Sequence, residues 1–125
     1  MCVNKVIITG PISILKELQI NFSLDKICPI PDNNNDSTWC FDNWGCDNDL
    51  IDLKIDLDDT KLNAEFITMN NPPIEAFKYL SETYPDLYIM LDFVDNINKY
   101  YGEAMFENGK LQYDFTNGIE EEESI

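Results

Sequence analysis

Hydrophobic and charged residues alternate most strictly in residues 50–58, where isoleucine or leucine occupies every second position. A period of two residues predicts a strand with one buried face. Asp58, Asp59 and Thr60 predict a tight turn after this strand, and residues 62–68 continue the pattern as the second strand of a hairpin. The residues expected on the buried face of the first strand are Ile51, Leu53, Ile55 and Leu57.

Further strands are predicted at both ends of the chain. Residues 2–9 are rich in β-branched residues, which favours a strand. Residues 87–94 are apolar with little alternation, a pattern typical of a strand near the centre of a sheet. The dipeptide Asn108-Gly109 separates two strand-like runs, residues 100–107 and 110–115, and therefore predicts a β-hairpin.

Helical spacing of apolar residues predicts one helix in residues 12–20 and a second in residues 73–83. Between the first helix and residue 50 the sequence is irregular and contains prolines and a run of polar residues. We expect a long ordered loop there, anchored by Trp39 and Trp44, with residues 33–35 at its mobile tip.

The order of these elements predicts an α+β fold. We expect a ferredoxin-like βαββαβ antiparallel sheet with two helices on one face, a long ordered loop after the first helix and a C-terminal β-hairpin. Residues 1–117 are expected to form this single domain, and residues 118–125 an acidic disordered tail. The opposite face of the sheet is expected to be open, or partly covered by the loop that carries Trp39 and Trp44.

Charge restricts the chemistry that this chain can perform. Among 125 residues there are 24 acidic and 8 basic side chains, so the formal net charge is −16. All basic residues are lysines, and histidine is absent. Without histidine there is no Ser-His or Cys-His dyad, and without arginine there is no bidentate phosphate clamp. The net charge repels nucleic acids and anionic membranes. We therefore predict no catalytic residues, no enzyme activity, no direct nucleic-acid binding and no membrane partner.

The cysteines and acidic loops give no strong metal signal. Cys2, Cys28, Cys40 and Cys46 contain no CxxC pair, so we expect reduced thiols in a cytosolic protein. A disulfide between Cys40 and Cys46, or a site of four thiolates, remains an alternative. A calcium loop beginning at Asp32 would lack the required glycine and glutamate. No metal and no cofactor are predicted. No signal peptide or membrane span is visible, so we expect a cytoplasmic protein, in the host-cell cytosol if it is viral.

Several short motifs, taken in order, are similar to those of a known family. They are Asn4 to Gly10, Pro29-Ile30-Pro31, Trp39, Asn43-Trp44-Gly45, Thr68, Pro72-Pro73, Pro85 and Tyr101-Gly102. In this order they resemble the YubB-like ferredoxin-like domain family of phage and plasmid proteins, over most of residues 3–109. The resemblance implies a ferredoxin-like fold and an origin in a phage or another mobile element. It implies no activity.

The densest acidic stretch lies around the alternating strand. It comprises Asp47, Asp49, Asp52, Asp56, Asp58 and Asp59. Alternation would place carboxylates about 7 Å apart along one side of a strand, which is similar to the spacing of phosphates in DNA. Trp39 and Trp44 are either anchors of the loop or aromatic anchors in an interface.

Two functions follow from these features. The first is a non-enzymatic interaction module that binds a basic protein, such as a nuclease or another nucleic-acid-binding protein, by mimicking nucleic acid. An anti-defence inhibitor of the anti-CRISPR type is its sharpest form, and the six aspartates with Trp39 and Trp44 are its expected contact residues. The alternative is a structural or housekeeping protein of a virus or mobile element that acts as a homodimer, with its acidity serving solubility.

Overall fold

The computed structural model describes residues 1–31 and 37–119, in which one six-stranded antiparallel sheet is combined with four helices. The α+β class predicted from the sequence is confirmed. The strands are β1 Cys2–Thr9, β2 Ile51–Leu57, β3 Lys61–Thr68, β4 Tyr88–Asp95, β5 Tyr100–Glu107 and β6 Lys110–Gly118. The helices are α1 Ile12–Gln19, α2 Leu24–Ile27, α3 Ser37–Trp44 and α4 Ile74–Thr83.

The strands lie in the order β2-β3-β1-β4-β5-β6, and every neighbouring pair is antiparallel. Strands β1 and β4 therefore occupy the centre, whereas β2 and β6 are the two edges. Both predicted hairpins form. In the second hairpin Asn108 and Gly109 have φ angles of 59° and 76°, the positive values that a two-residue type I′ turn requires.

The hydrophobic core lies between one face of the sheet and the helices. Val6 and Ile8 of β1 point into it, as does Phe66 of β3. Leu15 of α1 and Phe77 of α4 cover them from the helical side. Burying one such side chain stabilises the fold by about 1.5–3 kcal/mol. Packing of this kind holds the sheet rigid and leaves its other face free of the core.

Residues 20–31 and 37–50 form two helices where the sequence predicted a loop, so the expectation of two helices in the chain is wrong. Helix α2 begins after Ser23, whose Oγ accepts from the backbone N–H of Lys26 at 3.1 Å. The backbone N–H groups of Leu24 and Asp25 donate to the Asp49 carboxylate at 2.8 and 3.1 Å. A cap supplied from 25 residues away is invisible to local sequence pattern. The predicted mobile tip, residues 33–35, lies outside the described residues.

Helix α3 packs against α4, so the part of the predicted loop that carries Trp39 and Trp44 lies in the helical layer and does not cover the opposite face of the sheet. The alternative in which it partly covers that face is therefore wrong. Gly45 ends α3 with a φ of 93°. A Cβ at that position would lie 3.0 Å from the carbonyl oxygen of Pro72, so the close approach of α3 to the start of α4 favours glycine.

Strand β2 departs from the strict alternation of its sequence. The register with β3 shifts between Ile51 and Lys54, and Asp52 has a φ of 56°. The extra residue is a β-bulge. Because Ile51 pairs with Ile67, it lies on the face away from the core, and the prediction that it shares a buried face with Leu53 is wrong.

The C-terminal strand is longer than predicted and reaches Gly118. The boundary expected after residue 117 therefore falls within β6. Residues 120–125, which make up most of the predicted acidic tail, lie outside the described residues.

Candidate partner-binding surfaces

The six predicted contact aspartates lie along one border of the molecule, because β2 is an edge strand. Asp52 and Asp56 belong to β2, Asp58 and Asp59 form the turn to β3, and the other two precede β2. A seven-residue strand is about 20 Å long. We call the set the acidic edge; it consists of Asp47, Asp49, Asp52, Asp56, Asp58 and Asp59.

Two members of the acidic edge have structural roles. Asp49 accepts from the backbone N–H groups of helix α2 and also from its neighbour Leu50, at 2.8 Å. Asp58 accepts from the backbone N–H groups of Thr60 and Lys61, both at 2.9 Å. These hydrogen bonds hold the pKa of Asp58 below its usual value. Both carboxylates therefore stabilise the local backbone as well as adding charge.

The other four aspartates of the acidic edge are not spaced as evenly as the alternation predicts. Asp56 and Asp59 are exposed, and Asp47 accepts from the Asn70 side-chain amide at 3.1 Å. The bulge at Asp52 interrupts the alternation, and Lys54 stands between Asp52 and Asp56. An even row of carboxylates 7 Å apart is therefore absent from β2, although the edge as a whole is strongly acidic.

The two tryptophans differ in their exposure. Trp44 is 2% exposed, and its indole N–H donates to the Cys28 carbonyl oxygen at 2.8 Å. Trp39 is half-buried and meets Trp44 edge-to-face, with ring centroids 6.0 Å apart. Trp44 therefore anchors α3 in the core and cannot contact a partner in this fold. Trp39 still has an accessible surface.

A second surface, not predicted as a site, is the sheet face opposite the helices. We call it the open face. Its side chains are Val3, Lys5, Ile7 and Thr9 of β1; Ile51, Lys54 and Asp56 of β2; Lys61, Asn63, Glu65 and Ile67 of β3; Tyr88, Met90, Asp92 and Val94 of β4; Tyr101, Glu103, Met105 and Glu107 of β5; and Lys110, Tyr113, Phe115 and Asn117 of β6. The weak alternation of the two central strands was the sequence signal for it, because both of their faces are rich in apolar residues.

Charged side chains cross the middle of the open face in a single row. Strand register places Lys54 beside Glu65, Glu65 beside Lys5, Lys5 beside Asp92 and Asp92 beside Glu103. Burial and then the neighbouring Glu103 raise the pKa of Asp92, while Lys5 opposes this. Apolar side chains flank the row on both sides, and a groove of about 450 Å³ runs along it from Val3 to Phe115.

All four cysteines are buried thiols in the described part of the chain. Burial raises the pKa of Cys46 to about 12 and that of Cys2 to about 11, and it also raises the pKa of Cys28. Residues 1–31 and 37–119 contain no group of three cysteine or carboxylate side chains placed to hold a metal ion. Each helix in these ranges is too short and too polar to cross a bilayer.

The fold and its surfaces thus define a small acidic α+β protein with two exposed candidate binding surfaces. No family model matches the chain, and no curated protein matches it. The chain is similar in structure to protein api92 from Yersinia pseudotuberculosis, described with the family model DUF1281, at a TM-score of 0.56 and 16% identity. The likeness covers 68% of this chain but only 31% of that protein, and at this identity it shows the fold alone. The YubB-like resemblance stays a prediction.

Proposed function

We propose that this protein is a non-enzymatic interaction module that binds a basic protein through the acidic edge. Charge carries the proposal: the net charge is −16, and six aspartates are gathered on one edge strand and its flanking turns. The expected target is a nuclease or another nucleic-acid-handling protein, whose positive groove the acidic edge would occupy in place of nucleic acid. If the YubB-like resemblance holds, the module belongs to a phage or another mobile element and acts as an anti-defence inhibitor of the anti-CRISPR type.

We also propose that the first four strands form a ferredoxin-like core. The order β2-β3-β1-β4 supports this, as do α1 and α4 in the two connections between parallel strands of the sheet. The β5-β6 hairpin then extends the sheet on one side. This core fixes the acidic edge on a rigid scaffold, so little ordering is needed when a partner binds.

The proposed mechanism is electrostatic attraction followed by local docking. Long-range attraction accelerates encounter with a cationic surface, and its range shrinks to a Debye length of about 8 Å at physiological salt. The accessible part of Trp39 would then make a short-range contact, since tryptophan is frequent in binding hot spots. Affinity and association rate are expected to fall steeply as salt rises.

Capture from the native host at low salt, followed by mass spectrometry, tests the proposal. The expected result is a basic nucleic-acid-binding protein that is released by about 0.5 M NaCl. The acidic edge is tested with the triple variant Asp52→Asn, Asp56→Asn and Asp59→Asn. We expect its affinity for the captured protein to drop at least about tenfold, because three attractive charges are lost.

A matched control removes three exposed carboxylates elsewhere. Glu75→Gln and Glu82→Gln lie on α4, and Asp86→Asn follows it. This control variant has the same net charge as the edge variant, so it separates the position of the charge from its amount. Equal losses in both variants, or capture of no basic partner, would contradict the assignment to the acidic edge.

A further inference from the structure

The open face has the side chains of a protein interface. Ile7, Met90 and Val94 are half-buried at its centre, whereas Val3 and Tyr101 are exposed beside them. Tyr101 meets Phe115 edge-to-face with ring centroids 6.5 Å apart. Aromatic residues and methionine are enriched in interface cores. In the described part of the chain the helices lie on the other face, so these side chains face solvent in the monomer.

The open face also carries almost none of the net charge. Its charged side chains are Lys5, Lys54, Lys61 and Lys110 against Asp56, Glu65, Asp92, Glu103 and Glu107. Four positive and five negative groups give −1, out of −16 for the whole chain. Four of the eight lysines thus lie on this face, where they offset all but one of its carboxylates. A basic partner would be drawn to the other surfaces, where nearly all of the acidity lies.

The area of the face suits a stable dimer. Six strands about 4.8 Å apart give a width of about 25–29 Å, and strands of seven to nine residues give a length of about 25 Å. The face therefore covers about 700 Å², close to the ~800 Å² that each partner contributes to a standard interface. One copy of the same face would match it in size and in polarity.

We propose that the open face is the interface of a symmetric homodimer, in which two copies pack sheet against sheet. Such a contact is isologous, and sheets packed this way keep their strands within about 30° of each other. It would bury the apolar residues of both copies and direct their acidic surfaces away from each other. The proposal does not depend on the acidic edge, of which only Asp56 also belongs to the open face. The other five aspartates lie outside the interface and stay available to a basic partner.

The response to salt distinguishes this dimer from a complex with a basic protein. Two copies repel each other through their net charges, and salt screens that repulsion. Sedimentation equilibrium should therefore show a dimer dissociation constant that falls at least about tenfold between about 0.05 and 0.5 M NaCl. The dissociation constant of a complex with a basic partner should instead rise with salt, because salt screens the attraction. A protein that stays monomeric at about 0.5 mM in both salts would overturn the proposal.

A pair of tyrosine substitutions tests the surface. Tyr101 on the open face and Tyr79 on α4 are both 43% exposed. Tyr101→Glu places two additional carboxylates in the dimer interface, one from each copy, and should weaken dimerisation at least about tenfold. Tyr79→Glu adds the same charge to the helical side and should leave the dissociation constant within about twofold. Equal effects of the two variants would refute the open face as the interface.

The Val3→Lys variant separates the effect of apolar burial on dimerisation from the effect of net charge. Val3 is 41% exposed on a central strand, and the substitution lowers the net negative charge of each copy by one. Reduced repulsion alone would strengthen the dimer, whereas loss of apolar burial should weaken it at least about tenfold. Circular dichroism of each variant checks that the monomer is folded. A Val3→Lys protein that is folded and dimerises as tightly as the wild type would contradict the proposal.

Discussion

Single residues decide how reactive the four thiols are. The pKa of Cys46 is raised to about 12 and that of Cys2 to about 11 because both thiols are buried. At pH 8 their thiolate fractions are lower than that of a free cysteine by a factor of about 100 or more. We expect slow reaction with Ellman's reagent in the native protein and rapid reaction of all four thiols in guanidinium. Fast labelling of Cys2 or Cys46 in native buffer, located by peptide mass spectrometry, would contradict this.

Trp44 anchors helix α3 in the hydrophobic core. Trp44→Phe removes the indole donor to the Cys28 carbonyl and leaves a small cavity in the core. We expect a loss of about 2–3 kcal/mol in the free energy of unfolding, measured with urea. Trp39→Phe, on the half-buried neighbour, is the control and should cost less than about 1 kcal/mol. Similar losses in both variants would show that α3 is not fixed by Trp44.

Asp92 gives the protein a distinct dependence on pH. Because its pKa is raised in the folded state, the native protein binds a proton more readily than the unfolded chain. Stability therefore falls as pH rises from the ordinary pKa of an aspartate through the raised pKa of Asp92. Asp92→Asn should raise the free energy of unfolding by about 0.5 kcal/mol at pH 7, since it removes one of two facing carboxylates. Near pH 2 the gain should vanish.

Asp86→Asn is the control for the Asp92 prediction, because it removes one exposed charge outside the sheet. Urea unfolding of both variants at several pH values isolates the contribution of the Asp92–Glu103 pair. A gain that is independent of pH, or that is matched by the control, would assign the effect to net charge instead.

At the scale of elements, Gly102 determines how β5 fits between its neighbours. A Cβ there would lie 2.2 Å from the Phe115 carbonyl oxygen and 2.4 Å from the Phe93 ring. Gly102→Ala should therefore displace β6 and reduce stability by about 1–3 kcal/mol or more. Gly118→Ala, where the nearest atom is 3.8 Å away, should have little effect. Hydrogen exchange of the β5 and β6 amides and thermal unfolding measure the effect of each substitution. Similar effects of the two substitutions would contradict the prediction.

Sequence pattern predicted some elements better than others. The hairpin at Asn108-Gly109 was predicted correctly because a type I′ turn has its own residue signature. Helix α2 was missed although Ser23 is a local N-cap, because the helix has only four residues and its first N–H groups donate to Asp49, far along the chain. The bulge at Asp52 was missed because an alternating sequence does not encode where register slips. The acidic edge was identified from composition. The sheet face opposite the helices was expected to be open or partly covered, but it was not predicted as a binding surface, since its residues come from six separate strands.

At the scale of the whole molecule, net charge opposes compactness. Sixteen excess negative charges repel one another, and salt screens that repulsion. We expect the melting temperature to rise by about 3–5 °C between about 0.01 and 0.5 M NaCl, which corresponds to about 1 kcal/mol. Dilute Tyr101→Glu protein is the suitable sample, because salt would otherwise also act through dimerisation. Scanning calorimetry that finds no rise would show that the charges are too dispersed to matter.

The sequence by itself determined the strands, the two hairpins, the net charge and the absence of histidine and arginine, because period, turn chemistry and composition are local properties. Tertiary structure alone decided that Trp44 is buried and that Asp49 accepts from the start of a distant helix. It also decided between the two alternatives for the second face of the sheet, which no helix in the described residues covers. Alternation indicates that a strand has two faces, but only the packing of layers settles which face the helices cover.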